Sequence, residues 1–225
     1  TFLANQSDRL ILAKLFPLAL FGVYGVAYTL ADLPNNLLSA VNGKVLYPTY
    51  SKLVDLPRAE FRVKVLRNRL PILLALTGIL AIAVGFGDII VKVLYREEYA
   101  ANASWMMPLL ALGTWPLMLT KTVDPLLLAL GKPQYSTVAS FLSFLVYAIG
   151  IPAGFHSPLH EVGAVLAVAC SNIPIWIVIT FACWREKLLM IWQDIGITAV
   201  FLGVLSLLFL LRHAWGLGVP FANLL

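Results

Sequence analysis

The stretch LPILLALTGILAIAVGFGDIIVKVL, residues 70–94, contains only two charged side chains, those of Asp88 and Lys92. An α-helix needs about 20 mostly apolar residues to cross a hydrocarbon layer of about 30 Å. A membrane β-strand would need only about 10 residues and would alternate strictly between apolar and polar positions. Residues 70–94 are longer than that and do not alternate, so they predict a transmembrane helix.

Similar apolar runs follow one another along the whole chain. The 225 residues are 60% hydrophobic and 12% charged, which exceeds the roughly 45–50% apolar content of soluble domains. Their mean hydropathy is +0.88. We predict an all-α integral membrane protein, a bundle of about six transmembrane helices plus a partial one. The partial span lies at 1–15, and the fuller spans lie at 19–46, 70–94, 103–130, 134–155, 161–184 and 193–213.

The positions of lysine and arginine predict the orientation of this bundle. Short cytoplasmic loops retain basic residues, so the richer set of alternate loops should face the cytoplasm. The loops after the second, fourth and sixth spans hold nine cations, namely Lys52, Arg58, Arg62, Lys64, Arg67, Arg69, Lys132, Arg185 and Lys187. The opposite loops hold three, namely Lys14, Arg96 and Arg212. Residues 58–69 also predict a short amphipathic helix, either a topology signal alone or a contact for anionic membrane lipids.

Several functional classes lack support in the sequence. The net charge of +5 is concentrated in one loop between apolar runs, so it does not indicate nucleic-acid binding. His156 and His160 are four residues apart, but Pro158 separates them and no third metal ligand is near. There is no phosphate-binding loop and no nucleophile motif. We therefore expect no cofactor, no metal and no catalytic residue.

Polar residues inside the second span recur at spacings of three and four. This polar stripe consists of Tyr24, Gly25, Tyr28, Asp32, Asn35, Asn36, Ser39, Asn42 and Gly43. Such spacing places the residues on one helix face, and Pro34 favours a bend in the same span. A bent helix with one polar face suits the wall of a cavity. The alternative is that the stripe packs helices together without any transport role.

Charged residues in two other spans add to this intramembrane polarity. Asp8 precedes Arg9 in the first span, and Lys121 precedes Asp124 by three residues in the fourth. A charge within the bilayer costs at least about 2.5 kcal/mol, so such residues usually face a protein interior or a wet cavity. Each pair could instead neutralise itself at a helix end. Lys44 has no such partner and could extend toward the nearby interface.

Five stretches of the chain together resemble a known family. They are Asp8–Leu15, Phe21–Ala27, Leu46–Leu53, Ile89–Tyr95 with Tyr99–Ala100, and Leu126–Lys132. In their order and spacing they are similar to the polysaccharide flippases, the O-antigen and exopolysaccharide branch of the multidrug, oligosaccharidyl-lipid and polysaccharide exporter superfamily. The resemblance implies two bundles of about six helices around a central cavity. Residues 1–225 would form the second, C-terminal transmembrane bundle, with the N-terminal bundle missing.

The resemblance also implies an activity and a set of substrate-binding residues. The protein would move undecaprenyl-pyrophosphate glycan units across the bacterial inner membrane. Arg9, Lys44 and Lys121 would bind the pyrophosphate or acidic sugars of this lipid-linked oligosaccharide, because fixed positive charge must replace water around a buried diphosphate. Asp8, Asp32 and Asp124 would tune those cations or bind a coupling ion, a proton or sodium. Asn35 and Asn36 complete the predicted cavity wall.

Two alternative functions remain open at this stage besides a purely structural membrane subunit. One is a cation-coupled exporter of drugs or metabolites from the same superfamily, which would share the fold. The other is an integral membrane glycosyltransferase or polymerase. The acids available on the side opposite to the basic loops for such an enzyme, Glu97, Glu98 and Glu161, show no partner pattern, so we expect a transporter and not an enzyme.

Overall fold

The computed structural model describes residues 2–218 and residue 220, with side chains from residue 6 onward except at positions 98 and 99. The position Thr1, with which the predicted first span begins, and the side chains of Glu98 and Tyr99 lie outside this description. The described residues form α-helices and two π-helical segments, and they contain no strand. The predicted all-α membrane fold is confirmed. Four helices are long and apolar enough to cross a membrane: Arg58–Leu94, Gln134–Phe155, His160–Arg185 and Ile191–Ala214.

The helices fall on the predicted spans, and several spans are interrupted. The first span is α1 (Phe2–Leu15), and the second consists of α2 (Leu18–Ala31), α3 (Leu33–Val41), a π segment (Asn42–Leu46) and α4 (Tyr47–Ser51). The third is α5 (Arg58–Leu94), and the fourth consists of α6 (Glu97–Gly113), α7 (Trp115–Lys121) and α8 (Asp124–Ala129). The fifth is α9 (Gln134–Leu145), a π segment (Val146–Gly150) and α10 (Ile151–Phe155). The sixth is α11 (His160–Cys170) and α12 (Asn172–Arg185), and the seventh is α13 (Ile191–Ala214).

Prolines explain most of these interruptions. Pro34 in α3, Pro48 in α4, Pro125 in α8 and Pro152 in α10 each lie in the first turn of a new helical piece. A proline has no amide hydrogen and its ring clashes with the carbonyl of the residue four positions earlier, so the helical hydrogen bonds are interrupted at these four positions. Neighbouring helices can satisfy the freed carbonyls, which makes such breaks tolerable in a membrane bundle.

The basic segment 58–69 differs from the expectation of a separate short helix. It is the start of α5, a helix of 37 residues that continues through the third span without interruption. Its apolar side packs inward as expected, because Phe61 and Val65 are fully buried. Arg69, predicted to lie in the loop, is also fully buried. The reason is a buried carboxylate on α13, described below.

Contacts across the bundle agree with the predicted alternation of the loops. Lys132 forms a salt bridge with Glu186, so the loops after the fourth and sixth spans meet at one end of the bundle. A core cluster that includes Tyr50, Phe61 and Leu188 joins the same end. We call this end, with the loops at 52–57, 130–133 and 186–190, the basic end. The other end is the opposite end, where the rings of Phe16 and Phe155 lie 6.0 Å apart.

The helices approach most closely at glycines. A Cβ atom added to Gly163 in α11 would collide with the carbonyl group of Gly154 in α10, and the reverse is also true. Gly113 faces the backbone of Ala169 in the same manner. At these contacts, α11 packs directly against α10 and α6.

Candidate functional site: a charged cavity inside the bundle

A cavity of about 460 Å³ lies among the first, second, fourth, fifth and sixth spans. Its size falls in the range of ligand pockets, about 300–1,000 Å³. Many of the side chains around it are polar although the surrounding helices are apolar. The bends in the second and fourth spans position most of the charged side chains of the cavity. At each bend, the two helical segments point different faces into the cavity.

Six of the eight predicted site residues line this cavity. Arg9 comes from α1, and Lys121 and Asp124 come from the two sides of the break in the fourth span. The second span contributes Asp32, Asn35 and Asn36. The structure therefore brings together charged residues that are up to about 115 positions apart in the sequence. Whether they bind a substrate stays a prediction.

Asp8 and Lys44 lie outside the cavity lining. Asp8 is only 2% exposed, and its Oδ2 accepts a hydrogen bond of 2.8 Å from the hydroxyl of Tyr24. This carboxylate therefore lies in the contact between α1 and α2 and not in the cavity. Lys44 lies in the π segment of the second span and is exposed. Its predicted role in substrate binding rests on its charge alone.

The cations of the cavity are not neutralised by direct contact. Among the described residues, no salt bridge joins Asp8 to Arg9 or Lys121 to Asp124. The guanidinium carbon of Arg9 instead lies 4.9 Å from the centre of the Tyr28 ring, a cation–π arrangement. Each cation is still close enough to the carboxylate of its pair to interact with it electrostatically, so the alternative of mutual neutralisation stays open.

The carboxylates of the cavity accept hydrogen bonds from neutral groups. Asp32 Oδ1 accepts a bond of 3.0 Å from the side-chain amide of Asn35, and Asp124 Oδ1 accepts one of 3.3 Å from the hydroxyl of Ser136. The amide oxygen of Asn35 is buried and has no hydrogen-bond partner within the described part of the chain. A buried polar atom without a partner costs about 1–3 kcal/mol, so a hydrogen-bond donor would be favourable beside it. The cavity thus contains two cations, two carboxylates and an amide oxygen that is free to accept a hydrogen bond.

A second polar stripe completes the cavity wall, and sequence reasoning missed it. Ser136, Ser140, Ser143 and Tyr147 of the fifth span all line the cavity. Their spacing of four, three and four places them on one helix face, the same signal that identified the second span. On the sixth span, Asn172 lines the cavity and donates a hydrogen bond of 2.9 Å to the carbonyl of Gly113.

Two buried ion pairs lie outside the cavity and join α5 to α13. At the basic end, Arg69 Nη1 lies 2.6 Å from Asp194 Oδ1. At the opposite end, Arg212 contacts Asp88 at 2.7 Å. Both arginines are almost completely buried. The loop count used to predict orientation could not detect these pairs, because each partner lies more than 120 residues away in the sequence.

Comparison with known proteins connects the first part of the chain to polysaccharide biosynthesis. Residues 1–104 match the model of a family described as polysaccharide biosynthesis protein. This match supports the resemblance over these residues as far as a connection to polysaccharide biosynthesis, and they include Arg9 and the polar stripe of the second span. Searches of curated proteins and of solved structures found no match to the chain.

Proposed function

Starting from the match of residues 1–104 to proteins of polysaccharide biosynthesis, we propose that the protein is a flippase for lipid-linked oligosaccharides. Its substrate would be an undecaprenyl-pyrophosphate glycan, moved from the cytoplasmic to the periplasmic leaflet of a bacterial inner membrane during the synthesis of surface polysaccharide, such as lipopolysaccharide or exopolysaccharide. The protein would move this substrate without changing it chemically, so it would be a transporter and not an enzyme.

The observation that supports this proposal most strongly is that Arg9 and Lys121 line the cavity without forming a salt bridge among the described residues. Both cations lie inside an apolar bundle. The carboxylates of Asp32 and Asp124 line the same cavity without contacting these cations directly, and charged residues inside a membrane usually serve an ion or substrate pathway. A diphosphate is a suitable counter-charge, because charge-assisted hydrogen bonds to phosphate oxygens are about twice as strong as neutral ones.

The remaining wall of the cavity suits the glycan part of the substrate. The amide groups of Asn36 and Asn172 can donate and accept hydrogen bonds to sugar hydroxyls, and the hydroxyl oxygens of Ser136 and Ser140, whose protons are donated within the protein, can accept them. The proposal also includes a second helical bundle that would close the other side of the cavity. Transport would then proceed by alternating access, with the bundles rocking about the site, and a proton or sodium ion could supply the energy.

The test is transport by the full-length protein, with the proposed second bundle present, in liposomes containing a fluorescent polyprenyl-pyrophosphate disaccharide. Impermeant dithionite reports the fraction of label that reaches each leaflet. Arg9→Ala and Lys121→Ala should each lower the initial rate at least about tenfold, since each removes a charge-assisted contact of about 1.5–3 kcal/mol. Lys52→Ala is the matched control, because this exposed loop lysine lies outside the cavity. Wild-type rates in both cavity variants, with the protein amount unchanged, would refute the proposal. The same assay with Lys44→Ala tests the predicted role of that residue.

A second candidate is export of an organic cation, which the two cavity carboxylates favour. Asp32 and Asp124 line the cavity, and neither forms a salt bridge among the described residues. Such carboxylates could bind a cationic drug. Uptake of ethidium into inverted vesicles distinguishes the two functions: an exporter would accumulate ethidium and lose this activity in Asp124→Asn, whereas a flippase would transport only the labelled lipid.

A further inference from the structure

The break in the fourth span lies between two cavity residues that belong to the proposed binding site. α7 ends at Lys121 and α8 begins at Asp124. Pro125 has no amide hydrogen, so it cannot bond the carbonyl of Lys121 four residues before it. The amide of Val123 bonds Thr120 at 2.8 Å, which leaves the carbonyl of Leu119 without its usual helical partner. The local sequence therefore frees two backbone acceptors beside the cavity.

Side chains from two other spans donate to these freed acceptors, and the carbonyl of Leu119 also accepts a hydrogen bond of 2.8 Å from the hydroxyl of Thr122 in the break itself. The side-chain amide of Asn42, in the π segment of the second span, donates a hydrogen bond of 2.8 Å to the carbonyl of Lys121. Nη2 of Arg69, in α5, donates one of 2.7 Å to the carbonyl of Leu119, and its Nε donates one of 2.7 Å to Oγ1 of Thr122. The break is thus held from both sides by Asn42 and Arg69.

Arg69 is itself fixed on its far side. Its Nη1 pairs with Asp194 at 2.6 Å and also lies 3.2 Å from the side-chain oxygen of Gln193. Gln193 in turn donates a hydrogen bond of 2.9 Å to the carbonyl of Leu66 on α5. The guanidinium is fully buried and does not line the charged cavity. It cannot bind a ligand there, but it determines where the ends of α7 and α8 lie.

We infer that Arg69 and Asn42 are positioning residues that fix the direction of Lys121 and Asp124 in the cavity. This inference rests on the proposed function, because it assigns the two residues a role in binding the phosphate-containing substrate. The physical reason is geometric. A planar guanidinium can donate to Leu119, Thr122 and Gln193 at the same time while its charge lies beside Asp194, whereas a lysine ammonium at the end of a flexible chain cannot match this fork.

The decisive variants are Arg69→Lys and Asn42→Ala in the full-length protein, with the proposed second bundle present. Each should raise the half-saturating concentration of the fluorescent polyprenyl-pyrophosphate disaccharide about three- to tenfold, the loss expected for one or two hydrogen bonds, while the maximal rate stays within about twofold. Arg212→Lys is the matched control for Arg69→Lys, since it alters an equally buried arginine on the same helix pair, far from the break. Ser39→Ala is the control for Asn42→Ala, one turn earlier, where the hydroxyl bonds only Asn35 of its own helix.

A second measurement does not depend on transport. The side chain at position 121 is replaced by cysteine, and the rate of its modification by a cationic methanethiosulfonate reagent is followed. Adding Arg69→Lys should slow this modification at least about threefold, because the end of α7 turns away from the cavity, and adding Arg212→Lys should not. Equal effects of Arg69→Lys and Arg212→Lys in both measurements, or no effect of either, would overturn the inference. If transport does not require Lys121 but the labelling still responds to Arg69→Lys, the proposed function fails and the positioning role stands.

Discussion

Arg212 and Asp88 form a two-point ion pair, in which Nη1 lies 2.7 Å from Oδ1 and Nη2 lies 2.8 Å from Oδ2. The arginine also donates to the carbonyl of Gly218 at 3.0 Å. Arg212 is 1% exposed and Asp88 is 7% exposed. Removing one member of a buried pair leaves an uncompensated charge, which typically costs about 3–5 kcal/mol. This contact therefore fixes α13 against the end of α5.

We expect Arg212→Ala to lower the free energy of unfolding in detergent micelles by about 3–5 kcal/mol, measured by SDS titration of helical content. Asp88→Ala with Arg212→Ala should lose less than the sum of the single variants, because no charge is then left alone. Lys64→Ala is the control. It breaks the exposed pair with Glu60, which is 3.1 Å long, and should change stability by less than about 1 kcal/mol. A loss no larger in Arg212→Ala than in Lys64→Ala would contradict the structure.

Gly163→Ala should destabilise the protein by about 1–3 kcal/mol or more. The new Cβ would collide with the carbonyl group of Gly154 on the facing helix, and backbone atoms cannot move aside as a flexible side chain can. Thermal unfolding followed by circular dichroism measures the effect. In Gly203→Ala, by contrast, the new Cβ would have no atom within 4 Å, so this variant should be neutral or slightly stabilising. Equal melting temperatures for the two variants would show that α10 and α11 do not meet at these glycines.

The basic end of the bundle should face the cytoplasm, as the loop charges predict. Cysteines introduced at Lys132 and at His156, with Cys170 and Cys183 replaced by alanine, test this orientation. An impermeant maleimide should label position 132 only in inverted vesicles and position 156 only in cells whose outer membrane is permeabilised. Labelling of both positions from one side would show that the spans between them do not cross the membrane once each.

Anionic lipid should bind at the start of α5, where Arg58, Lys64 and Arg67 are all exposed. Each basic residue near a negative membrane surface contributes about 1 kcal/mol of attraction. Replacing all three with glutamine should therefore weaken the binding of labelled phosphatidylglycerol in mixed micelles by at least about tenfold, measured by energy transfer from tryptophan. Lys92→Gln, which removes a single exposed cation at the opposite end, should leave this binding unchanged. Equal losses in both would indicate nonspecific attraction.

The course of the helices was predictable from the sequence because apolar runs report membrane crossing directly. The breaks were harder to place. Pro34 indicated a bend in the second span, but the π segment Asn42–Leu46 left no comparable signal. Arg69 was assigned to a loop because counting charges along the chain reveals nothing about a partner on another helix. Its partner Asp194, whose charge allows Arg69 to be buried, lies in the seventh span.

The cavity was partly predictable for a related reason. Periodicity identifies which residues share a helix face, so the stripe of the second span correctly led to Asp32, Asn35 and Asn36. Lys44 was selected for its charge and not for its position. Its side chain is exposed and lies outside the cavity lining. The direction of Asp8 depended on Tyr24, sixteen residues later, which no local pattern could specify.

The two buried ion pairs between α5 and α13 also lie a defined distance apart along the helix axes. Arg69 and Asp88 are nineteen residues apart on α5, and Asp194 and Arg212 are eighteen apart on α13, so the pairs lie about 28 Å from each other along the helices. This distance is close to the thickness of a bilayer's hydrocarbon layer. Since the apolar stretch between the two pairs has this length, we expect the helix pair to be most stable in membranes whose hydrocarbon layer is about equally thick.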